Sequence, residues 1–154
     1  MKHNLTIFIA ALGLLAVLAS IAASAETSAG GGLVFSGVVT GSWNQARAAQ
    51  CELKARGGRA RVALVGAVIG KAWTLSLDIG SYKGPGPYNA KDRWDIRAVL
   101  DDGSHNPNEF FTSAKVGSVL IKIGESEKSG TVEAELWSDT GRRVKVSGSW
   151  TCEG

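Results

Sequence analysis

The sequence has few of the side chains on which most catalytic and metal sites depend. It contains two histidines and two cysteines in 154 residues, and His105 is the one histidine beyond the apolar N-terminal stretch. One histidine and two cysteines that can pair leave too few ligands for a zinc site. No Gly-x-Ser-x-Gly turn surrounds any serine, so the setting of a hydrolase nucleophile is missing. We therefore expect no metal and no cofactor, and we assign no catalytic residue.

Strong charge of one sign and long helical patterns are also absent. The formal net charge is +3 at pH 7, which is too small an excess to indicate a nucleic-acid partner. Beyond the N-terminal stretch, no segment of about twelve residues keeps the apolar spacing of an amphipathic helix. These two absences argue against a nucleic-acid-binding protein and against a helical fold.

The N-terminus has the pattern of an export signal. Lys2 precedes an almost wholly apolar run over residues 5–23, and the Ala-Ser-Ala sequence ending at Ala25 fits a small-x-small cleavage site. We predict a signal peptide over residues 1–25, although the run is nearly long enough to act as a membrane anchor. No cysteine follows the run to carry a lipid. The mature protein is then expected to be bacterial and secreted, or held in the periplasm or cell envelope.

The remainder is expected to be one β-rich domain. A flexible segment of Ser, Ala and Gly over residues 26–32 leads into a single domain over residues 33–154. Alternating apolar and polar residues predict about eight or nine strands. We favour an antiparallel β-sandwich, with a closed β-barrel as the alternative. The predicted strands cover residues 33–43, 51–56, 59–69, 73–82, 92–101, 109–114, 116–123, 129–138 and 144–152.

The last predicted strand, residues 144–152, has the clearest two-faced pattern. Val144 and Trp150 share one face with Cys152, while polar side chains occupy the other. Two cysteines in an exported chain are expected to pair, so Cys51 and Cys152 should form a disulfide. That bond would close a loop of about a hundred residues, which is worth about 4–5 kcal/mol in the chain-entropy model.

The glycines and tryptophans carry further structural expectations. Val-Thr-Gly-Ser-Trp at 39–43 echoes Val-Ser-Gly-Ser-Trp at 146–150, which suggests two strands in similar settings with an indole over bare glycine backbone. Gly-Pro-Gly-Pro at 84–87 predicts a corner outside the sheet, because proline lacks a backbone donor. The tryptophans expected in the core are Trp73, Trp94 and Trp150.

The corner Tyr82-Lys-Gly-Pro-Gly-Pro-Tyr88 resembles the aromatic-x-Gly-Pro-Gly-x-Tyr turn of small exported bacterial β-proteins. In those proteins, as here, a strand opening with Ser-Gly-Thr-Val (129–132) and a last strand of the type Val-x-Val-Ser-Gly-x-Trp-x-Cys (144–152) follow. The arrangement is also similar to the mycobacterial 19-kDa lipoprotein antigen group, whose lipidated cysteine this sequence lacks. The resemblance implies a disulfide-bonded β-sandwich in an envelope or secreted protein without known catalysis, and it carries no catalytic residue across.

Basic residues around the predicted Gly57-Gly58 turn are the best functional clue. If the turn closes a hairpin, they form one basic tip, which suits lipid phosphates or anionic wall polymers. The alternative is a soluble hairpin end that resists aggregation. Aromatic rings elsewhere could stack on a sugar or on a partner's ring. The basic candidates are Lys54, Arg56, Arg59 and Arg61, and the aromatic candidates are Tyr82, Tyr88 and Trp137.

Clustered acids suggest two further hypotheses. The loop that runs from Asp101 and Asp102 to Glu109 carries oxygen donors that Ca²⁺ could use, but the same residue types form ordinary turns. Carboxylate pairs such as Glu133 and Glu135 could serve glycoside hydrolysis. The simpler interpretation pairs them with cations across the last hairpin. The other acids considered for hydrolysis are Asp78 and Asp95, and the cations expected beside the hairpin glutamates are Arg143 and Lys145.

We therefore expect a non-catalytic exported module for binding, adhesion or structure. Its expected partners are anionic lipid, a wall polymer, carbohydrate or another envelope protein. The alternatives are a carrier that holds an apolar ligand in a barrel cavity and a small secreted hydrolase. The patterns leave the oligomeric state open.

Overall fold

The computed structural model describes residues 31–53, 58–104, 109–112 and 116–152. Regular structure in these ranges is β-strand apart from one turn of 3-10 helix, Ala90–Asp92, so the predicted all-β class is confirmed. No helix in the same ranges is long and apolar enough to span a bilayer. The strands are β1 (Leu33–Gly37), β2 (Gly41–Trp43), β3 (Arg47–Glu52), β4 (Gly58–Val68), β5 (Lys71–Tyr82), β6 (Gly86–Asn89), β7 (Ile96–Asp101), β8 (Glu109–Phe111), β9 (Ser118–Ile123), β10 (Ser129–Trp137) and β11 (Arg143–Cys152).

The strands follow a two-residue alternation, which places one set of side chains in a shared hydrophobic core. In β5 the buried positions run from Trp73 to Ile79 in steps of two, as the sequence predicts. In β11, Val144 and Trp150 are fully buried while Lys145 is exposed. The largest fully buried side chains in this core include Trp150, Tyr82, Phe35 and Phe110.

The eleven strands of the described residues form one hydrogen-bonded sheet. Its order is β2-β1-β11-β3-β4-β5-β7-β8-β10-β9-β6, and β11 also pairs with β10. That additional pairing closes a circuit that runs from β11 through β3, β4, β5, β7, β8 and β10. Two joins in the circuit are narrow: β8 meets β10 at Phe111 and Trp137, and β3 meets β11 in parallel through residues 47–48. Broad ladders with narrow joins are compatible with the predicted sandwich and with its barrel alternative.

The predicted disulfide between Cys51 and Cys152 is confirmed, and it lies at one of these narrow joins. The two Cα atoms are 5.8 Å apart, and 101 positions separate the residues in sequence. The Cys152 backbone N–H also donates to the Lys128 carbonyl at 2.7 Å. The end of β11 is therefore tied to β3 by a covalent bond and to the β9–β10 turn by a hydrogen bond.

Two predicted segments differ from the structure. Residues 33–43 form a hairpin of β1 and β2 instead of one strand, because the chain reverses after Gly37, whose φ of 108° suits glycine. Residues 84–87 are not wholly outside the sheet, since β6 begins at Gly86 and pairs with β9. This strand lies at the end of the sheet order, where the missing donor of Pro87 disrupts no ladder on its open side.

The two echoed segments do occupy similar settings. They lie on either side of β1, with Gly41 opposite Phe35 and Gly148 opposite Leu33, and both run antiparallel to it. Their buried indoles cover glycines of other strands instead of the glycines of their own segments. A Cβ added at Gly66 would meet the ring of Trp43, and one added at Gly130 would meet the ring of Trp150.

Removing the disulfide is expected to cost much of the protein's stability. In Cys51→Ser/Cys152→Ser, release of the 101-residue loop should lower the free energy of unfolding by about 4–5 kcal/mol in the chain-entropy model. Denaturant unfolding of the oxidised wild type and the variant measures the difference. Chemically reduced wild type serves as the control and should match the variant. A loss below about 1 kcal/mol would contradict the expectation.

Gly66→Ala tests the contact between an indole and bare backbone. The added methyl would lie 2.5 Å from the Trp43 ring, so we expect the free energy of unfolding to fall by about 1–3 kcal/mol. The same change in a Trp43→Leu background is the control, and its cost should shrink because the clashing ring is gone. An equal cost in both backgrounds would show that the ring is not responsible.

Candidate functional site

The strongest candidate site is a groove on the polar face of β4, β5 and β7, which we call the arginine groove. It encloses about 600 Å³ and opens to the surface. That volume lies within the range typical of small-molecule sites. Its lining contains four guanidinium groups, two carboxylates and one indole. The lining residues are Arg59, Arg61, Asp78, Gly80, Ser81, Arg93, Trp94, Asp95 and Arg97.

The register of β4, β5 and β7 aligns three charged residues across the base of the groove. On β4, Arg61 alternates with buried neighbours and therefore points to the polar face. Arg61 pairs in register with Asp78 of β5, which pairs in turn with Arg97 of β7. Arg61 Nε donates to Asp78 Oδ1 at 2.9 Å. This hydrogen bond and the negative charge of Asp78 raise the pKa of Arg61 above its usual value.

A register shift widens one end of the groove. The β4–β5 ladder shifts between the pair Gly58–Tyr82 and the pair Ala60–Ile79, which leaves Gly80 and the residue after it opposite Arg59. The Gly80 N–H donates to the Asp95 carbonyl at 2.7 Å. A Cβ at Gly80 would lie 2.8 Å from the Asp95 Cβ. Glycine is needed here because the turn before β7 sits directly on the backbone of β5.

Asp95 anchors that turn. Arg93 donates to it through two nitrogens, Nε to Oδ1 at 3.0 Å and Nη2 to Oδ2 at 2.7 Å. The Arg93 hydrogen bonds, helped by one from Ser81 and opposed by burial, lower the pKa of Asp95 to about 2. Asp95 is therefore ionised at any physiological pH. A general acid needs the opposite shift, so Asp95 does not suit that role, and its contacts hold the turn in place.

Trp94 is exposed between these two anchored neighbours. The prediction that it lies in the core is wrong, since 83% of its surface is accessible. The alternation that suggested burial starts only at Ile96, where β7 begins, and Trp94 belongs to the preceding turn. The other tryptophans expected in the core, Trp73 and Trp150, are buried.

The arginines of the groove fall into two classes. Arg61 and Arg93 each hold a carboxylate, with nitrogen–oxygen distances of 2.9 and 2.7 Å. Arg59 and Arg97 form no ion pair with any carboxylate in the part of the chain that the structure describes. The groove therefore has an excess of positive charge, carried by two guanidiniums that can bind an outside anion.

The structure brings together part of the predicted basic tip. Arg59 and Arg61 line the groove, whereas Lys54 and Arg56 lie outside the described residues. Sequence patterns did not reveal Arg93 and Arg97. Arg97 lies in β7 and Arg93 lies just before it, and β7 pairs with β5 on the side opposite β4. A usable signal was present, because arginines flank Trp94 closely on both sides.

The three aromatic residues predicted as contacts differ in burial, since both tyrosines are buried and Trp137 is half-buried. Tyr82 and Tyr88 are buried and stack with ring centroids 5.6 Å apart. The Tyr88 hydroxyl donates to the Gly84 carbonyl at 2.5 Å, and Tyr82 donates to Glu127 at 2.6 Å. Burial and the Glu127 hydrogen bond raise the pKa of Tyr82. Neither tyrosine ring lies at the surface, and Trp137 is half-buried with the Arg143 guanidinium 5.5 Å from its ring centroid.

The last hairpin contains the predicted cross-strand charge pairs. Glu135 lies opposite Lys145, with oxygen–nitrogen distances of 3.8 Å to Lys145 and 3.6 Å to Arg143. Glu133 and Glu135 also line a shallow depression of about 510 Å³. The simpler prediction of charge pairing is confirmed for Glu135.

The acids at positions 101–102 support turn structure. Asp101 accepts from the Gly103 N–H at 2.7 Å, and Asp102 accepts from Ser104 and forms an ion pair with Lys71. Burial alone would raise the pKa of Asp102, but hydrogen bonds from Lys71 and Ser104 outweigh it and hold the pKa well below its usual value. His105 lies outside the described residues. Within the described ranges, no three His, Cys, Asp or Glu residues are grouped to hold a metal ion.

No family model, curated protein or solved structure matches this chain. What the arginine groove can bind must therefore follow from its own side chains. Planar guanidiniums form paired hydrogen bonds with carboxylates, sulfates and phosphates. An exposed indole adds a flat apolar surface beside them.

Asp95→Asn should give a stability loss that depends on pH. We expect the free energy of unfolding at pH 7 to fall by about 1–2 kcal/mol, because the hydrogen bonds to Arg93 lose their charge. The folded pKa of Asp95 is about 2 and the unfolded value is about 4. The stabilisation is therefore complete above about pH 4 and disappears as the pH falls through about 2.

Thermal unfolding followed by circular dichroism between about pH 2 and pH 7 measures this loss. The melting temperatures of wild type and Asp95→Asn should converge in the acid range. Asp139→Asn, in the exposed β10–β11 turn, is the control and should change stability by less than about 0.5 kcal/mol. A difference between wild type and Asp95→Asn that is independent of pH would contradict the assigned role.

Proposed function

We propose that this protein is a non-catalytic binding module of the bacterial envelope or exterior, and that the arginine groove is where it contacts an anionic surface or polymer. The observation that carries the proposal is the pair of arginines, Arg59 and Arg97, which line the groove without a carboxylate partner among the described residues. Their neighbours Arg61 and Arg93 are already engaged by Asp78 and Asp95.

The frame around these arginines suits binding. They project from β4 and β7, the two strands that pair with β5 on either side. Arginines on a rigid sheet lose less conformational freedom on binding than arginines on a loop. The arrangement therefore offers an anionic partner two separate positive charges whose backbones are anchored in the sheet.

Export is part of the same proposal. The Cys51–Cys152 disulfide is compatible with an oxidising compartment, because cytosolic thiols are mostly kept reduced. The predicted signal peptide over residues 1–25 and the resemblance to the mycobacterial 19-kDa lipoprotein antigen group support the same location. A groove with excess positive charge attracts anionic polymers or anionic lipid headgroups by electrostatics.

The groove favours binding over the two alternative functions. A glycosidase needs one carboxyl group with a raised pKa as its general acid, whereas the pKa of Asp95 is about 2 and Asp78 is paired with Arg61. For a carrier, a hollow apolar interior is required, whereas large rings such as Phe35 and Trp150 occupy the core. The groove is instead polar and open.

Replacing the two unpaired arginines tests the proposal. Arg59→Ser/Arg97→Ser should weaken binding to anionic probes by about tenfold or more, since a charged hydrogen bond contributes about 1.5–3 kcal/mol. The probes are polyphosphate, polygalacturonate, dextran sulfate and vesicles rich in phosphatidylglycerol, measured by calorimetry or co-sedimentation. Binding by the wild type should fall as NaCl rises from about 50 to about 500 mM.

The matched control removes two positive charges elsewhere. Lys122→Ser/Lys145→Ser changes exposed lysines of β9 and β11 that lie outside the groove. This control should bind nearly as well as the wild type. The proposal is refuted if the two double variants bind the probes with equal affinity. It is also refuted if the wild type binds none of the probes in a salt-sensitive way.

A further inference from the structure

Trp94 gives the arginine groove a feature that charge attraction alone does not require. Its indole lines the groove while 83% of its surface remains accessible. Exposing an aromatic ring of this size forgoes the stabilisation that its burial would supply. An exposed ring that adjoins unpaired cations is therefore well placed for contact with a ligand.

The backbone around Trp94 is fixed before any ligand arrives. The two neighbours of Trp94 are joined to each other, because Arg93 donates two hydrogen bonds to the Asp95 carboxylate, at 3.0 and 2.7 Å. The backbone carbonyl of Asp95 in turn accepts a hydrogen bond from the Gly80 N–H of β5 at 2.7 Å. The turn is thus attached to the sheet, and the indole is presented at low entropic cost.

The spacing of the free cations suggests an extended ligand. Arg59 and Arg97 lie on β4 and β7, which are separated by β5. Arg61 is the residue of β4 in line with Arg97, so Arg59 is offset by two residues along its strand. Two strand intervals and this offset place the backbones of Arg59 and Arg97 roughly 12 Å apart. Two guanidiniums that are anchored on separate strands suit a ligand with more than one acidic group, such as a chain that carries one on successive units.

We infer that the groove binds a linear acidic polysaccharide, with the C–H face of one sugar ring on Trp94 and acidic groups at Arg59 and Arg97. This inference rests on the proposed function and names its ligand class. A sugar acid combines a flat face of C–H groups with a carboxylate or sulfate at its edge. Those are the two chemistries that the indole and the guanidiniums recognise.

The shape of the site favours a polymer chain over a membrane surface. These arginines line a recess of about 600 Å³, and a recess suits a narrow chain. Membrane-surface proteins usually place several apolar or aromatic side chains together beside their basic residues. Among the exposed large hydrophobic residues of the described chain, Trp94 is the one that lines this groove.

Trp94→Ala tests the inference directly. Calorimetric titration of the oxidised protein compares polygalacturonate and dextran sulfate with neutral dextran and with polyphosphate, an anion without sugar rings. The variant should lose about three- to tenfold in affinity for at least one acidic polysaccharide, which corresponds to one aromatic stacking contact. Its affinity for polyphosphate should be unchanged, and neutral dextran should bind at least about tenfold more weakly than dextran sulfate.

Ile69→Ala is the matched control, because it removes an exposed apolar side chain from the β4–β5 turn, away from the groove. It should bind every probe as the wild type does. Both single variants should melt close to the wild type, since both side chains are exposed. A melting temperature that stays within a few degrees excludes misfolding as the cause of lost binding.

The outcomes separate this inference from the proposed function. If Arg59→Ser/Arg97→Ser weakens binding but Trp94→Ala leaves both acidic polysaccharides unaffected, the polysaccharide inference fails and the anion-binding function stands. If Trp94→Ala matters only for vesicles rich in phosphatidylglycerol, a lipid surface replaces the polysaccharide. If no probe shows salt-sensitive binding, both fail together.

Discussion

Strand β11 is the element on which the rest of the sheet depends. One of its edges pairs with β10 over nearly the full length of both strands. Its other edge is shared, with β1 beside its first half and β3 beside its end. Val144, Val146 and Trp150 bury the inward face. Loss of this strand would remove one pairing from each of three other strands, so the disulfide at Cys152 secures a strand that joins three neighbours.

The four arginines of the groove fall into two pairs, one held by carboxylates and one without a described carboxylate partner. Two carboxylates, Asp78 and Asp95, satisfy Arg61 and Arg93 and hold the surface in shape. Arg59 and Arg97 are left with their charge uncompensated by any described carboxylate. The proposed binding surface is held partly by contacts within the sheet and partly by the turn before β7, which is attached to β5.

Local patterns predicted much of the fold. Alternation identified the buried faces of β5 and β11, and the scarcity of cysteine in a chain with an export pattern led to the correct disulfide. The same patterns failed at strand ends where the composition does not change. Apolar residues continue through the chain reversal at Gly37, so β1 and β2 were predicted as one strand. The alternation of apolar residues in β7 continues by chance back to Trp94, which lies before the strand. Sequence separation hid the groove, since neither Arg93 nor Arg97 shows from local sequence that it will lie near Arg59.

The position of β1 has a consequence for the order of events during biosynthesis. This strand precedes Cys51 and so lies outside the covalent loop, yet one of its ladders is formed with β11 at the opposite end of the chain. A polypeptide that emerges N-terminus first cannot complete this ladder until β11 has appeared. Pairing of β1 with β11 must therefore be a late step, because the two strands are far apart in sequence. The covalent loop likewise cannot close before Cys152 has been synthesised.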